Sequence, residues 1–420
     1  MTATPAIAAL KPELVRIRRQ LHAHPELRFE EEQTAAFVAA YLEDCGIEVT
    51  RGIGGHGVVG TCRRGTSGRA IALRADMDAL PLQELNGFTH ASQHAGKMHA
   101  CGHDGHTTML LGAARYLATH GGFDGTVQFV FQPAEEGGAG AKKMLDDGLF
   151  ERFPADAIFG LHNWPGLPAG SFGVRPDAIM ASSNTFEVEI HGSGSHAAQP
   201  HRSIDPVMVA VQIAQAWQSI VSRNVDPNAA AVLSVTQINT GTAVNVIPET
   251  AVLRGTVRTF DTAVLDLIEQ RMRSIADGIA GAFGAELRFD FNRMYPAVVN
   301  HPAEAALAAS VMRAVAGIEC VDENVACSMA SEDFSFFLQR KPGCYAFLGN
   351  GRLRTTAAPT TPANGHSYQL HSPLYDFNDE ILVTGVTYWV ELAKAWLPVV
   401  QSMPTPPVAD EKNDRLQSIA

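Results

Sequence analysis

Long apolar runs are missing from this chain of 420 residues. None reaches the ~18–20 residues that a helix needs to cross a bilayer, so no membrane association is expected. Positive charge is scarce: Lys and Arg total 32 against 44 Asp and Glu, a formal net charge of -12. Nucleic-acid affinity comes largely from clustered Lys and Arg, so this imbalance argues against a nucleic-acid partner. Cysteine is sparse too. Six in a chain this long make no disulfide scaffold, and no two form a CxxC pair. Met1–Leu10 has no basic segment ahead of its short Ala-rich stretch, so no signal peptide is expected and the reading is a soluble cytoplasmic protein. No internal repeat is visible. What the chain does have is 46% hydrophobic residues, enough for a sizeable core, and 16 histidines, a surplus of metal-ligating side chains.

The patterning predicts helix over 11–45, interrupted near His24-Pro25, then strands over 57–62 and 70–75. A helix over 105–120, a strand over 126–132, a short helix over 141–147 and a strand over 157–162 follow. This alternation indicates an α/β domain with a largely parallel central sheet flanked by helices. Its polar residues cluster just past strand ends, where ligands bind in open α/β sheets. After Pro176 the register changes: strand 185–191, helix 206–221, strands 231–238 and 251–260, helix 262–282, strand 286–291. That β-α-β-β-α-β order is the split βαβ of a ferredoxin-like domain. The α/β pattern then resumes with helices over 303–316 and 331–339, a strand over 344–348 and a helix over 378–396. The expected organisation is one domain from 1–182 and 298–400, interrupted by an insert over 183–297, with 401–420 a flexible tail.

The densest chemistry lies in His99-Ala-Cys101-Gly-His103-Asp104-Gly-His106. Cys101 and His103 on a glycine-containing loop can reach one borderline-soft cation. The same residues also fit a Cys–His nucleophile, or a polar loop with incidental histidines. Glu135-Glu136 follows a strand and a proline. In an extended segment neighbouring side chains point opposite ways, so one carboxylate could hold a metal while the other handles a proton. A solvated acidic turn is the bland alternative. His162 ends a strand and His371 lies in Leu370-His-Ser-Pro373; each suits a ligand or a hydrogen-bonded structural residue. Asp76 and Asp78 end another strand, where one could orient a ligand imidazole. In the insert, His196 is placed to donate a hydrogen bond, and Asn245 lies on the same sub-domain. Arg254 could clamp a carboxylate, or simply pair with a local acid.

Taken together, these motifs carry a resemblance. The chain resembles the aminoacylase and carboxypeptidase superfamily of di-metal hydrolases, in particular the branch containing hippurate hydrolases, N-acetyldiaminopimelate deacetylases and plant indole-acetyl-amino-acid hydrolases. The matching segments are Leu21-His-Ala-His-Pro-Glu-Leu27, Arg74-Ala-Asp-Met-Asp-Ala-Leu-Pro81, Met98-His-Ala-Cys-Gly-His-Asp-Gly-His106, Gln132-Pro-Ala-Glu-Glu136, Gly194-Ser-His-Ala-Ala-Gln-Pro-His201, Ser331-Glu-Asp-Phe334 and His371. They span roughly Leu14 to Leu397. The wider superfamily has His-x-Asp where this chain reads Asp76-Met77-Asp78, and its usual bridging Asp is replaced by Cys101. Both departures are typical of the hippurate-hydrolase branch.

The resemblance implies Cys101, His103, Glu136, His162 and His371 as ligands of two divalent ions, Mn²⁺ or Zn²⁺ first, Co²⁺ or Ni²⁺ next. It implies Glu135 as general base, Asp78 as the carboxylate orienting the metal site, and His196 as an oxyanion donor. Asn245 and Arg254 would hold the substrate. The insert would be a lid and dimerisation domain, making a homodimer or homotetramer in which His196 serves the partner subunit. The implied reaction is hydrolysis of N-acyl amino acids to a carboxylic acid and a free amino acid. A dipeptidase or carboxypeptidase on the same scaffold is the alternative, followed by a metal-stabilised binding protein without catalysis.

Overall fold

A computed structural model describes residues 3–353 and 366–399; the expected tail over 401–420 lies outside them. After a single helical turn at Pro5–Ala8, helices α1 (Lys11–Ala23) and α2 (Glu32–Asp44) follow, separated around His24-Pro25 as the pattern predicts. Strands β1 (Glu48–Ile53), β2 (Gly57–Arg64) and β3 (Ala70–Asp76) lead to helix α3 (His103–His120) and then β4 (Gly125–Gln132) and β5 (Ala157–Pro165). The inserted unit is β6 (Ser183–His191), α4 (Pro206–Arg223), β7 (Ala231–Thr240), β8 (Thr250–Thr259), α5 (Thr262–Phe283) and β9 (Glu286–Tyr295). Helix α6 (Pro302–Ala316), strand β10 (Gly343–Leu353) and helix α7 (Leu382–Trp396) complete the first domain.

The large sheet runs β1-β2-β4-β3-β5-β10, with short strands Phe172–Gly173 and Val321–Asp322 beyond β10. Its centre is parallel: β3 pairs in parallel with β4 and β5, and β5 with β10. The β1 and β2 edge is antiparallel. All seven residues of β3 are buried, the expected state of a central strand covered on both faces. On one face α3 packs beneath α1 and α7, with Leu14, Met109, Leu110, Val386 and Trp389 in its core. On the other, Met144, Phe334, Phe337, Tyr345 and Phe347 form a second apolar layer.

In the insert the sheet order is β7-β8-β6-β9, all antiparallel, the arrangement of a ferredoxin-like domain. Strand β8 alternates buried and half-buried residues, so Ala251, Leu253 and Val257 face the core beneath α4 and α5. Trp217 anchors that core, and its indole N–H donates to Met272 O at 3.0 Å. Arg254 and Arg258 therefore lie on the opposite, uncovered face of the sheet. Among the described residues no helix is long and apolar enough to cross a membrane.

Three local expectations are corrected. Glu135-Glu136 is not extended: it opens a single turn, Glu135–Gly138, entered through Ala134 at φ 54°. The helix expected over 331–339 shrinks to Ser335–Leu338, because Glu332 and Asp333 turn inward to Arg74. The last helix begins at Leu382, preceded by a 3₁₀ turn at Asp379–Ile381 that the Asn378 side chain caps by accepting the Glu380 N–H. Strand β1, half-exposed and charged, carried no clear apolar pattern and was not anticipated.

Candidate metal centre and active site

The ends of β3, β4 and β5 and the start of α3 converge on one buried cluster. Gly102, at φ 92°, makes the sharp entry into α3. A Cβ there would stand 2.2 Å from Asn163 Nδ2 and 2.6 Å from the Tyr375 hydroxyl, so only glycine admits this approach. Asn163 Nδ2 donates to Cys101 O at 2.6 Å, fixing the loop, and Tyr375 donates to Asn163 Oδ1 at 2.6 Å.

Four side chains, Asp76, His103, His106 and His162, offer ligand atoms within 4.8 Å of one another. Two of them are already committed. His106 faces Asp76 Oδ1 through Nδ1 at 2.6 Å and accepts the Asn163 backbone N–H on Nε2 at 2.9 Å, leaving no lone pair for an ion. Asp76 is held from its other oxygen by Arg74 at 2.7 Å. His103 differs. Its Nδ1 lies 2.8 Å from Asp78 O, while its buried Nε2 has no hydrogen-bond partner. That is the disposition of an imidazole with its far nitrogen fixed and its near one free to ligate.

His162 repeats it: Nδ1 lies 2.6 Å from Asn163 O, and Nε2 faces Cys101 Sγ at 3.4 Å. Burial first, then the neighbouring His106, holds the His162 pKa well below its ordinary value, so its ring is neutral. Cys101, Glu136 and His371 form a second group within 4.8 Å, and His103, Glu135 and Glu136 a third. Glu136 is common to these two. Its Oε1 is buried with no hydrogen-bond partner and lies 3.1 Å from His371 Nε2. His371 takes a left-handed backbone, φ 63°, and its N–H donates to Ala100 O at 2.8 Å, which draws it to the Cys101 loop. The structure thus brings together all five ligands that the resemblance implies.

The residues fit divalent ions on these grounds: unpartnered buried His103 Nε2 and Glu136 Oε1, and a thiol, imidazoles and a carboxylate facing one space. The local charge points the same way. Burial opposes the His103 cation, yet Asp76, Asp78 and Glu136 push its pKa up to about 10. Burial first, then Glu136 and Glu135, pushes the Cys101 thiol well above its usual value. A nucleophilic cysteine needs the opposite shift, so this environment favours the metal-ligand reading of Cys101 over the Cys–His one. A bound metal ion reverses it by taking the thiolate.

Glu135 is buried beside Glu332 and Asp333, and the three carboxylates have oxygens within 4.8 Å of one another. Burial, then Glu332, Glu136 and Asp333, raises its pKa well above the carboxylate range. Arg74 holds Glu332 at 2.9 Å and Asp333 at 3.3 Å. Asp78 receives the backbone N–H groups of both Glu135 and Glu136. Arg74, Glu332, Asp333 and Asn163 were not singled out from sequence as individual site residues, although three of them lie in the quoted Arg74–Pro81 and Ser331–Phe334 segments.

The insert's residues lie elsewhere. His196 is exposed on a two-residue strand paired with Val246–Ile247, and its Nδ1 accepts the Ala198 N–H at 3.1 Å. Asn245 O accepts the Ala197 N–H at 3.0 Å, which places His196 and Asn245 together. Arg254 is paired with Glu187 at 2.6 Å, the local-acid arrangement weighed from sequence.

The model of peptidase family M20/M25/M40 matches residues 72–395. The hippurate hydrolase of Campylobacter jejuni is 42% identical over 397 residues, 94% of this chain and 100% of its own length. Thermostable carboxypeptidase 2 of Saccharolobus solfataricus is 38% identical over 377 residues, 89% of this chain and 92% of its own. Among solved structures, the YXEP protein of Bacillus subtilis, described as a dinuclear metal-binding peptidase, has a TM-score of 0.79 and 34% identity over 94% of this chain and 100% of that one.

Proposed function

This chain belongs to peptidase family M20/M25/M40, hydrolases of amide bonds, and on that premise we propose that it is a two-metal amidohydrolase that cleaves N-acyl amino acids. The observation that carries the proposal is the Glu135-Glu136 turn. Glu136 joins the ligand groups, while its neighbour Glu135 is buried among carboxylates with its pKa raised. A metal-stabilised binding protein has no need of that second carboxylate; water-dependent hydrolysis does.

Cys101, His103, Glu136, His162 and His371 would hold two divalent ions, Mn²⁺ or Zn²⁺ first, with Co²⁺ and Ni²⁺ as further candidates. When bound, such ions polarise a carbonyl and lower the pKa of water. Glu135 takes the proton from water and hands it to the departing amine. Asp78 fixes the turn through two backbone N–H groups and orients His103 through its carbonyl. Asn245 and Arg254 would meet the substrate, Arg254 its free carboxylate. His196 would stabilise the developing oxyanion from across a homodimer or homotetramer built through the insert, a lid as well as an interface. Both His196 and Asn245 are exposed on the insert, which suits that role. The proposed location is the cytoplasm.

The carboxypeptidase name of the Saccharolobus relative supports a second reading, hydrolysis of peptides. A panel of benzoyl-, acetyl- and longer-acyl amino acids, set against dipeptides and C-terminally free peptides, separates the two. It is run with each of the four metals. Turnover of the acyl amino acids above the peptides is expected; preference for peptides overturns the substrate assignment.

A further inference from the structure

The turn that carries Glu135 is bounded by two alanines in the left-handed region, Ala134 and Ala139, each at φ 54°. Such a conformation costs free energy in a residue with a Cβ and persists only where its surroundings fix it. Most of the fixing comes from the catalytic domain. Glu31 accepts the Ala134 N–H at 2.7 Å, Asp78 accepts those of Glu135 and Glu136, and Arg28 donates to Glu136 O at 2.9 Å. Two further hydrogen bonds come from one hydroxyl of the inserted domain. Tyr295 donates to Glu135 O at 2.7 Å and accepts the Ala139 N–H at 3.1 Å, closing the turn from its far side.

Tyr295 is the last residue of β9, paired with Ser183, the first residue of β6. It therefore stands where both chain crossings between the domains meet. The β6–β9 register slips between Arg293 and Tyr295, and the side chain is buried against Phe336, with ring centroids 6.0 Å apart. A second contact from the insert arrives beside it: Arg258 donates to Ser331 Oγ at 3.2 Å, next to Glu332 and Asp333.

We propose that Tyr295 is a positioning residue through which the inserted domain sets the placement of the Glu135 carboxylate. The proposal rests on the amidohydrolase reading for its catalytic consequence, but the clasp itself is independent of it. The test is Tyr295→Phe, which removes only the hydroxyl. In metal-free protein, amide hydrogen exchange across residues 134–140 is expected to rise roughly tenfold, the loss of one well-made hydrogen-bond clasp. With benzoylglycine, or the fastest substrate of the panel, kcat falls roughly tenfold while KM stays within about twofold and metal content is unchanged. Ile213→Val, in the core of the insert, supplies a control with a comparable loss of melting temperature; it should leave kcat and the exchange of this turn unaltered. Unchanged exchange in Tyr295→Phe overturns the proposal, as does a kcat loss that Ile213→Val reproduces. If the unaltered enzyme cleaves nothing on the panel, the amidohydrolase reading fails and the exchange measurement still decides the clasp.

Discussion

The carboxylate of Asp78 accepts the backbone N–H of Glu136 on Oδ2 at 2.9 Å, and that of Glu135 on Oδ1 at 3.0 Å. One side chain thus sets the direction of both adjacent carboxylates, while its own carbonyl fixes His103. The proposed ligand Glu136 and the proposed base Glu135 therefore share a support.

Asp78→Asn should therefore damage both functions at once. An amide offers one acceptor oxygen where the carboxylate offers two, and it presents an N–H to a backbone N–H. Metal affinity is expected to fall by ~10–100-fold, as for other residues that orient ligands, with a parallel loss in kcat. Metal titration followed by kinetics at saturating metal checks both effects.

Cys101→Ala should lose at least one metal equivalent on elemental analysis. The thiol is buried and faces His162 Nε2 at 3.4 Å, so alanine removes the proposed ligand atom and leaves the other groups in place. Full occupancy in this variant contradicts its assignment as a ligand.

A pH-dependent stability follows from His22, buried beneath the site between Asp104 Oδ2 at 2.8 Å and Glu84 Oε1 at 3.2 Å. Burial opposes its charge, but hydrogen bonds to Asp104 and Glu84 raise the pKa from 6.5 to about 9. The native state then holds a proton that the unfolded chain has released, so this contribution is fully present below pH 6.5 and is lost as pH rises through 9. At ~1.4 kcal/mol per pKa unit, the loss is about 3 kcal/mol. Chemical denaturation of metal-free protein at intervals from pH 6 to 10 should show that decline in the parent and a flatter profile in His22→Gln.

Much of the architecture was legible because β3, β4, β5 and the insert's strands are bounded by sharp changes of apolar period. The Cys101 loop and Glu135-Glu136 stood out because each packs its chemistry into a few consecutive residues. What sequence could not show was which polar atoms are left over. His106 is three residues from His103 and looks equally suited to a metal, yet its nitrogens are consumed by Asp76 and Asn163. Arg74 meets Glu332 across 258 positions, a pairing with no local signature. The left-handed Ala134 had none either, since alanine does not advertise a positive φ as glycine does. The expected extended Glu135-Glu136 was wrong in conformation for that reason.

The central claim is the division of labour between Glu135 and Glu136, and Glu135→Gln tests it most directly. Gln is close in size but cannot accept the proton from water. Measured together, metal content should remain at the parent value while kcat falls by ~10²–10⁴, the usual worth of a positioned general base. Near-normal turnover with metals intact would contradict the account.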